Sequence, residues 1–490
     1  MANIKEQTLT GVKWGTIDKF SSTAIQFLIG IVLARLLSPE DFGTVGLLSI
    51  FFAISNVFAD GGFYTAVIRK KELSFSDCCT VFYYNLVVNI ICYIVLFFCA
   101  PLIADFFHMP ILISILRVYA LNLIIGAFSS IHFAILTRNV DFKKPAIIHV
   151  SCNIISGIVG ISLAYNGWGV WALVYSYLCS SLIAVFLANI MSPWHPKLLF
   201  SKKSFKELFA FGGNMLLSKL VNTIFSHLTS ILIGRFYSPK DLGYYSKGQS
   251  LANMPGTFLF NIVGSVTMPI LSKMQDDDDL LLRVYRKYIK VCSIIIFYMM
   301  FLLFAIGKPT IIFLYGEKWI PSIIFFQIFC LSSMFYHIHA INVNLLLAKG
   351  RSDLNLRIEI VKKIISITAL IIAIPYGVIA ICLTSLITTH LCMFVNTYYT
   401  GKLFNFGYLK QWKDFLPYLI ISFISVIPAF FISKTDILPI LSLIIGGIIS
   451  TVLYLFILWW KDDEYFYELV RITPLKTIEP KIRRKTIKEI

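Results

Sequence analysis

The chain has 490 residues, of which 58% are hydrophobic and only 14% are charged. Soluble globular domains carry about 25% charged residues, so this composition excludes a soluble protein and indicates an integral membrane protein. The formal net charge of +17 then indicates contact with anionic lipids of the cytoplasmic leaflet, and not a nucleic-acid surface. The 10 cysteines lie almost wholly in apolar runs without a C-x-x-C pair, a pattern that predicts neither disulfides nor a metal site.

Apolar runs that are long enough to cross a bilayer occur fourteen times along the chain. A spanning helix needs about 20 mostly apolar residues. The predicted spans are 14–36, 41–62, 77–104, 111–134, 145–165, 169–191, 208–234, 242–271, 286–307, 321–347, 357–375, 377–400, 415–433 and 437–460. The boundaries around 308–320 are the softest, because the short apolar run there also fits a re-entrant or interfacial segment.

The distribution of basic residues orients these spans. With the N-terminus inside, the inside segments hold 31 of the 43 Lys and Arg residues and the outside loops hold 6. The positive-inside rule therefore predicts that both termini are cytoplasmic. The longest polar connector, 193–207, divides the helices into an N-terminal seven-helix bundle (1–192) and a C-terminal seven-helix bundle (208–460). A basic cytoplasmic tail follows at 461–490.

A motif near the start of the chain recurs 200 positions later. Residues Arg35–Gly43 read R-L-L-S-P-E-D-F-G, and residues Arg235–Gly243 read R-F-Y-S-P-K-D-L-G; Lys19 falls on Lys219 in the same register. Such a duplication in an apolar chain is typical of a transporter built from two pseudo-symmetric halves, with the substrate site where they meet. The charge distribution places both copies at outer turns between consecutive helices. We therefore expect the motif to form a structural corner in each half.

Polar residues lie at bilayer depth on predicted helices one, two, seven and eight. A charge at this depth costs about 2.5–3.5 kcal/mol on insertion scales, so each one is expected to have a paired partner or a function. The predicted substrate-binding residues of a cationic cavity are Lys19, Lys219, Lys247, Gln26, Asn222 and Asn253. Because the lysines outnumber the acids near them, the cavity is expected to attract an anion such as a phosphate group.

Four further charged residues are candidates for charge balance or for coupling to an ion. These are Asp18, Asp60, Glu359 and Lys363. The alternative for Asp18 is an ion pair with a lysine that only locks two helices together, and Glu359 and Lys363 have the i,i+4 spacing of a helical ion pair. No G-x-x-x-x-G-K-[ST] motif occurs in the sequence, so we expect no ATPase. Transport without a cofactor would then be driven by a Na⁺ or H⁺ gradient, by the membrane potential or by the substrate gradient.

Three stretches of the sequence carry a family resemblance. They are Gly11, Trp14 and Lys19, the run L-A-R-L-L-S-P-E-D-F-G at Leu33–Gly43, and the run D-G-G-F at Asp60–Phe63. In these stretches the chain resembles the Wzx-type polysaccharide flippases. These belong to the multidrug/oligosaccharidyl-lipid/polysaccharide exporter superfamily. The resemblance implies a monomeric flippase of the bacterial inner membrane that moves undecaprenyl-pyrophosphate-linked oligosaccharide units to the outer leaflet. It implies alternating access of the two bundles, and a role in making lipopolysaccharide, capsule or exopolysaccharide alongside glycosyltransferases and a polymerase.

Three other classes of protein remain as alternatives. A multidrug-type, cation-coupled antiporter of the same superfamily would share the fold, but its cavity should be rich in acids and not in lysines. A membrane polysaccharide polymerase or acyltransferase would be an enzyme, and we would expect a large outside loop in it. A membrane scaffold without transport activity would not need buried lysines at equivalent places in both halves.

Overall fold

A computed structural model describes the backbone of residues 2–472. Side chains are described for 10–11, 13–209, 216–255 and 267–470. Within residues 2–472 all regular structure is helical, and no strand occurs there. Most of the predicted basic tail, from residue 473 onward, lies outside the described residues.

The helices of the described chain follow one another with short connections. They are α1 (Ala2–Leu36), α2 (Pro39–Asp60), α3 (Phe63–Arg69), α4 (Phe75–Phe107), α5 (Leu112–Tyr119), α6 (Leu121–Arg138), α7 (Lys143–Tyr165), α8 (Val170–Met191), α9 (Lys202–Phe236), α10 (Pro239–Lys273), α11 (Asp278–Ala305), α12 (Gly307–Tyr315), α13 (Ser322–Ser333), α14 (Tyr336–Ala348), α15 (Ser352–Ala373), α16 (Val378–Phe404), α17 (Tyr408–Ile432), α18 (Pro439–Trp460) and α19 (Glu464–Ile472). Two short 3₁₀ turns, Glu317–Trp319 and Ile374–Tyr376, complete this part of the chain.

The helices confirm the prediction of an all-α, multi-pass membrane protein. Among the described residues, 12 helical segments are long and apolar enough to span a membrane, and each falls on a predicted span. The remaining predicted spans, 242–271 and 357–375, fall on α10 and α15. Charged residues crowd α15, and part of α10 has no described side chains. The count of fourteen therefore stays a prediction.

The chain divides into two compact units. Unit 1 comprises Met1–Ser246 and Leu314–Lys318, and unit 2 comprises Lys247–Phe313 and Trp319–Ile490. Unit 1 thus includes α9 and the first two turns of α10. The division into two seven-helix bundles around the connector 193–207 remains a prediction from the sequence.

In unit 1, a buried aromatic and aliphatic cluster joins α3, α4 and α6 to the connector before α9. Its members include Phe63, Cys79, Ile131 and Trp194. A second close contact joins α1 to α7, where a Cβ atom on Gly157 would lie 2.2 Å from Cδ1 of Ile29. These contacts hold α1 against α7 and join α3, α4 and α6 in one core.

In unit 2, the core lies between α11, α14, α16, α17 and α18. Aromatic side chains fill it, among them the fully buried Phe297 and Phe415. A buried polar network sits beside them, in which the hydroxyl of Tyr285 donates to Asn342 Oδ1 at 2.9 Å. The amide of Asn342 in turn donates to Gln411 Oε1 at 3.0 Å. Because buried polar groups are costly when they are unpaired, this network fixes the register of these helices.

The two copies of the repeated motif form the same local structure. Ser38 caps the N-terminus of α2: its Oγ accepts from the backbone N–H of Asp41 at 3.2 Å, and its own N–H donates to Asp41 Oδ2 at 2.8 Å. Ser238 and Asp241 repeat these contacts at the start of α10, at 3.1 and 3.3 Å. Each S-P-x-D sequence is therefore a capping box with a proline in the first turn of the helix.

The two corners also touch each other within unit 1. A Cβ atom on Gly43 would lie 1.8 Å from the carbonyl oxygen of Pro239. The reciprocal contact has the same form, since a Cβ atom on Gly243 would lie 1.9 Å from the carbonyl oxygen of Pro39. Only glycine permits such an approach of two helix backbones. The repeat thus makes a two-fold contact in which each copy supplies the same groups.

Basic side chains fasten the first corner to the end of α12 and to the 3₁₀ turn that follows it. Arg35 Nε donates to the carbonyl oxygen of Leu314 at 3.0 Å, and Lys318 Nζ donates to the carbonyl oxygens of Arg35 and Leu37 at 2.8 and 2.5 Å. Burial lowers the pKa of Lys318, and the negative charge of Asp41 opposes that shift. These bonds satisfy carbonyls at the C-terminal end of α1.

Candidate functional site

The first candidate feature in unit 1 is an ion pair between α2 and α9. Lys219 Nζ lies 2.5 Å from Asp60 Oδ2, and the two side chains are 40% and 26% exposed. The other carboxylate oxygen of Asp60 accepts from the backbone N–H of Tyr64 at 3.2 Å. The left-handed Gly61, with φ +49°, ends α2 at this point. Asp60 is therefore held at a helix end, and its charge is balanced by Lys219.

A pocket of about 380 Å³ opens beside this ion pair. It lies between α2, α4 and α6, and the start of α3 closes one side. The polar groups that line it are Asn56, Asp60, Tyr64, Asn85, Asn89, Asn122 and Ser130. Its volume falls within the range of about 300–1,000 Å³ that small-molecule sites occupy. We call it the asparagine pocket.

Several amides of the asparagine pocket are held in place by bonds outside it or along its wall. Asn89 Nδ2 donates to the backbone carbonyl of Asn85 at 2.8 Å, and Asn85 Nδ2 donates to Ser130 Oγ at 3.2 Å. Asn122 Oδ1 accepts from Ser181 Oγ at 2.7 Å. Asn85 is only 4% exposed, and its Oδ1 has no hydrogen-bond partner among the described residues. A buried amide oxygen in this state can accept a hydrogen bond from a ligand hydroxyl.

A second set of polar contacts runs along the interface of α1 and α7. His149 Nδ1 lies 3.0 Å from Asp18 Oδ2, and Ser22 Oγ donates to the same carboxylate at 3.2 Å. Two turns further along α1, Gln26 Nε2 donates to Asn153 Oδ1 at 3.1 Å. Asp18 and Gln26 thus face α7, and the basic partner of Asp18 is a histidine.

The two lysines at equivalent positions of the repeat have different surroundings. Lys219 is bound to Asp60, whereas Lys19 is exposed and forms no hydrogen bond or ion pair with any other residue that the structure describes. Asn222, which follows Lys219 by three residues on α9, is also exposed. Among these candidates, Lys19 is the one whose charge is open to a ligand from outside the protein.

Two further candidates lie in unit 2. Lys247 Nζ is 5.9 Å from the centroid of the Trp319 ring, which is a cation–π distance. Asn253 Oδ1 accepts from Ser333 Oγ at 3.3 Å. Both residues are on α10, one and a half turns apart, and both are held by side chains of unit 2. A cavity shared with the candidates of unit 1 remains a prediction.

The charged cluster of α15 is also in unit 2. Lys362 Nζ lies 2.9 Å from Glu359 Oε1, its neighbour at i−3, and Lys363 follows it. Among the described residues, no three His, Cys, Asp or Glu side chains come together as a metal site would require. The proposed role of Glu359 and Lys363 in coupling transport to an ion is still a prediction.

Sequence reasoning missed most of the groups that surround Asp18 and Asp60. His149 and Asn153 lie at i,i+4 on α7, and Asn85 and Asn89 lie at i,i+4 on α4. This spacing places each pair on one helix face. Polar pairs at helical spacing inside apolar runs were the available signal.

The known proteins that match this chain are named for polysaccharide biosynthesis or as a lipid flippase. A family model described as "Polysaccharide biosynthesis protein" matches residues 32–324. The teichuronic acid biosynthesis protein TuaB of Bacillus subtilis is 24% identical over 357 residues, which are 72% of this chain and 74% of that protein. The lipopolysaccharide biosynthesis protein WzxC of Escherichia coli is 24% identical over 433 residues, covering 86% and 88%. A solved structure of the lipid II flippase MurJ, in an inward closed conformation, superposes with a TM-score of 0.75 at 18% identity, covering 93% of this chain and 99% of that one.

Proposed function

Because this chain belongs to the polysaccharide biosynthesis protein family, we propose that it is a flippase for lipid-linked oligosaccharides. Its substrate is an undecaprenyl-pyrophosphate-linked repeat unit, which it moves from the cytoplasmic to the outer leaflet of the bacterial inner membrane. Relatives named for lipopolysaccharide and teichuronic acid biosynthesis support a saccharide substrate. The fold shared with a lipid II flippase supports a transporter and not an enzyme.

The observation that carries this proposal is the chemistry of the asparagine pocket. Amide groups offer both donors and acceptors to sugar hydroxyls, and Asn85 Oδ1 is buried without a partner among the described residues. The charge of Asp60, which lines the pocket, is balanced by Lys219. A neutral, hydroxyl-rich ligand suits such a pocket, because it replaces the lost hydrogen bonds of water without bringing in a charge.

The proposal assigns the two ends of the substrate to different groups. The exposed Lys19 attracts the pyrophosphate, and the asparagine pocket holds part of the saccharide. Lys247 of unit 2 is a separate candidate for binding the pyrophosphate. The polyprenyl chain stays in the lipid. Alternating access of the bundles 1–192 and 208–460 moves the head group, with Asp18, Glu359 and Lys363 as candidates for coupling to Na⁺, H⁺ or the membrane potential. The protein acts as a monomer beside glycosyltransferases and a polymerase.

A multidrug-type cation antiporter is the main rival within the same fold. Such a carrier needs carboxylates that can meet a cationic substrate. In unit 1, Asp60 is bound to Lys219 and Asp18 to His149, so both acids already have basic partners. This arrangement favours the flippase.

The proposal is tested by deleting the gene in its own bacterium and restoring it with wild-type or variant protein. Deletion should abolish or strongly reduce one surface polysaccharide, and lipid-linked repeat units should accumulate in the membrane fraction. Lys19→Ala and Asn89→Leu should each restore export several-fold less well than the wild type at equal protein level. Both the extracted surface polysaccharide and the accumulated lipid-linked unit should be quantified.

A matched control separates the pocket from general damage. Asn189 makes the same bond as Asn89, from its Nδ2 to the carbonyl oxygen four residues earlier at 2.8 Å, but lies outside the pocket. Asn189→Leu should therefore restore export. Normal surface polysaccharides in the deletion strain, together with increased sensitivity to cationic dyes, would contradict the flippase and support the antiporter.

A further inference from the structure

A second pocket, of about 400 Å³, lies in unit 2 at the ends of three helices. It is formed by the start of α11, the end of α16 and the start of α17. The side chains on which the argument rests are Arg286, Lys410, Lys413, Asp414, Phe404 and Phe406. The distribution of basic residues in the sequence places these helix ends on the cytoplasmic side. We call it the basic pocket.

The basic pocket has an excess of positive charge. Its acid, Asp414, is 7% exposed as a side chain, and both of its oxygens bind Arg286, at 2.7 and 2.8 Å. Lys290 Nζ also lies 3.6 Å from Asp414 Oδ1. Both oxygens of the acid are thus engaged by cations, and it leaves the two lysines of the pocket without compensation.

These two lysines are available to an anion. Lys410 Nζ donates to the backbone oxygen and the Oδ1 of Asn405, at 2.7 and 3.2 Å, and both of these acceptors are neutral. Lys413 is exposed and has no hydrogen bond or ion pair among the residues described by the structure. In addition, α17 begins at Tyr408 without a side-chain cap on its first turn. The N-terminus of a helix adds a positive potential and free N–H groups.

An exposed apolar stripe leads from the basic pocket along α17. Its side chains are 36–76% exposed, and they recur at intervals of seven, four and three residues, which keeps them on one helix face. They are Leu409 (76%), Leu416 (36%), Ile420 (46%) and Phe423 (52%). A ligand with a phosphate head and acyl chains fits both features at once, because its head reaches the lysines while its chains lie along this stripe.

We propose that the basic pocket binds the phosphate headgroup of an anionic phospholipid of the cytoplasmic leaflet. Arg286 is a positioning residue of this site, since its guanidinium stacks 4.8 Å from the centroid of Phe406 and holds Asp414 away from the ligand. The bound lipid ties α11 to α16 and α17. This site is separate from the flippase proposal, and either can fail without the other.

The test is retention of lipid by the purified, full-length protein. Native mass spectrometry should show bound phosphatidylglycerol after exchange from mixed micelles, and much less phosphatidylcholine. The double variant Lys410→Gln/Lys413→Gln should bind phosphatidylglycerol about thirtyfold more weakly, which corresponds to about 1 kcal/mol for each lysine near the membrane surface. It keeps the pair of Arg286 and Asp414, so the fold should persist.

The matched control removes the same charge elsewhere on the predicted cytoplasmic face. Lys202 and Lys203, at the start of α9, are both exposed, and Lys202→Gln/Lys203→Gln should bind phosphatidylglycerol like the wild type. Equal weakening in both double variants would overturn the site, and so would equal retention of phosphatidylcholine. Displacement of the lipid by millimolar inorganic phosphate would assign the pocket to free phosphate and not to a lipid.

Discussion

The duplicated corners contact each other so closely that we expect one added methyl group to destabilise the folded protein. Gly43→Ala places a Cβ atom 1.8 Å from the carbonyl oxygen of Pro239. The obstructing atom is backbone, so no side chain can rotate away. On the same helix, a Cβ atom on Gly46 would lie 3.7 Å from its nearest neighbour, Ser246 Oγ. Gly46→Ala is therefore the matched control, with the same substitution one turn away.

The size of the effect follows from these distances. A carbon atom and a carbonyl oxygen sit about 3.3–3.6 Å apart in close helix contacts, so the two helices must separate by about 1.5 Å to accommodate the added methyl group. Overpacking of this kind costs about 1–3 kcal/mol, and sometimes more. Gly46→Ala instead gains up to about 1 kcal/mol, because alanine is the better helix former. Gly43→Ala has the same gain, so the two variants should differ by the overpacking cost alone, about 1–3 kcal/mol.

The assay is thermal unfolding of the purified protein in detergent, read by the loss of monodisperse protein. Gly43→Ala should unfold several degrees below the wild type, and Gly46→Ala at or slightly above it. Because the contact is reciprocal, Gly243→Ala should resemble Gly43→Ala; its Cβ atom would lie 1.9 Å from the carbonyl oxygen of Pro39. If Gly43→Ala is as stable as Gly46→Ala, the close contact of the two corners is not a feature of the folded protein.

Two more substitutions test the local structures that hold the helices. Ser38→Ala removes the N-cap of α2 and should lower the free energy of unfolding by about 1 kcal/mol, measured as a lower unfolding temperature that Ser38→Asn largely restores. Asn342→Leu removes the acceptor of Tyr285 and the partner of Gln411 in the core of unit 2. It should cost about 1–3 kcal/mol for each buried polar group left unpaired, whereas Asn189→Leu should unfold close to the wild type in the same assay.

The fold was largely predictable because the bilayer restricts the choice. A backbone that crosses lipid must pair its polar groups internally, so long apolar runs become helices. The sequence could not define where such a run breaks: the predicted span 111–134 is two helices, α5 and α6, that meet at Ala120. The soft segment 308–320 contains α12 and a 3₁₀ turn, and its residues Leu314–Lys318 belong to unit 1. Helix propensity and hydropathy contain no information on that packing.

The candidate site was predictable in its residue types but not in its pairs. Helical periodicity shows which residues of one helix share a face. It does not show which helix lies opposite. The partner of Lys219 is 159 positions away, and His149 is 131 positions from Asp18. Such pairs depend on tertiary packing, which a single sequence does not specify.

The two copies of the repeat are alike at their corners but differ at their equivalent lysines, Lys19 and Lys219. The corners touch each other, so a change in Gly43 or Gly243 disturbs both halves at once. The lysines are under no such mutual constraint. Asp18 precedes Lys19, whereas Ser218 precedes Lys219, and Lys219 is bound instead to Asp60. The substrate that we propose has a charged end and a neutral, hydroxylated end, and two such ends need two different environments.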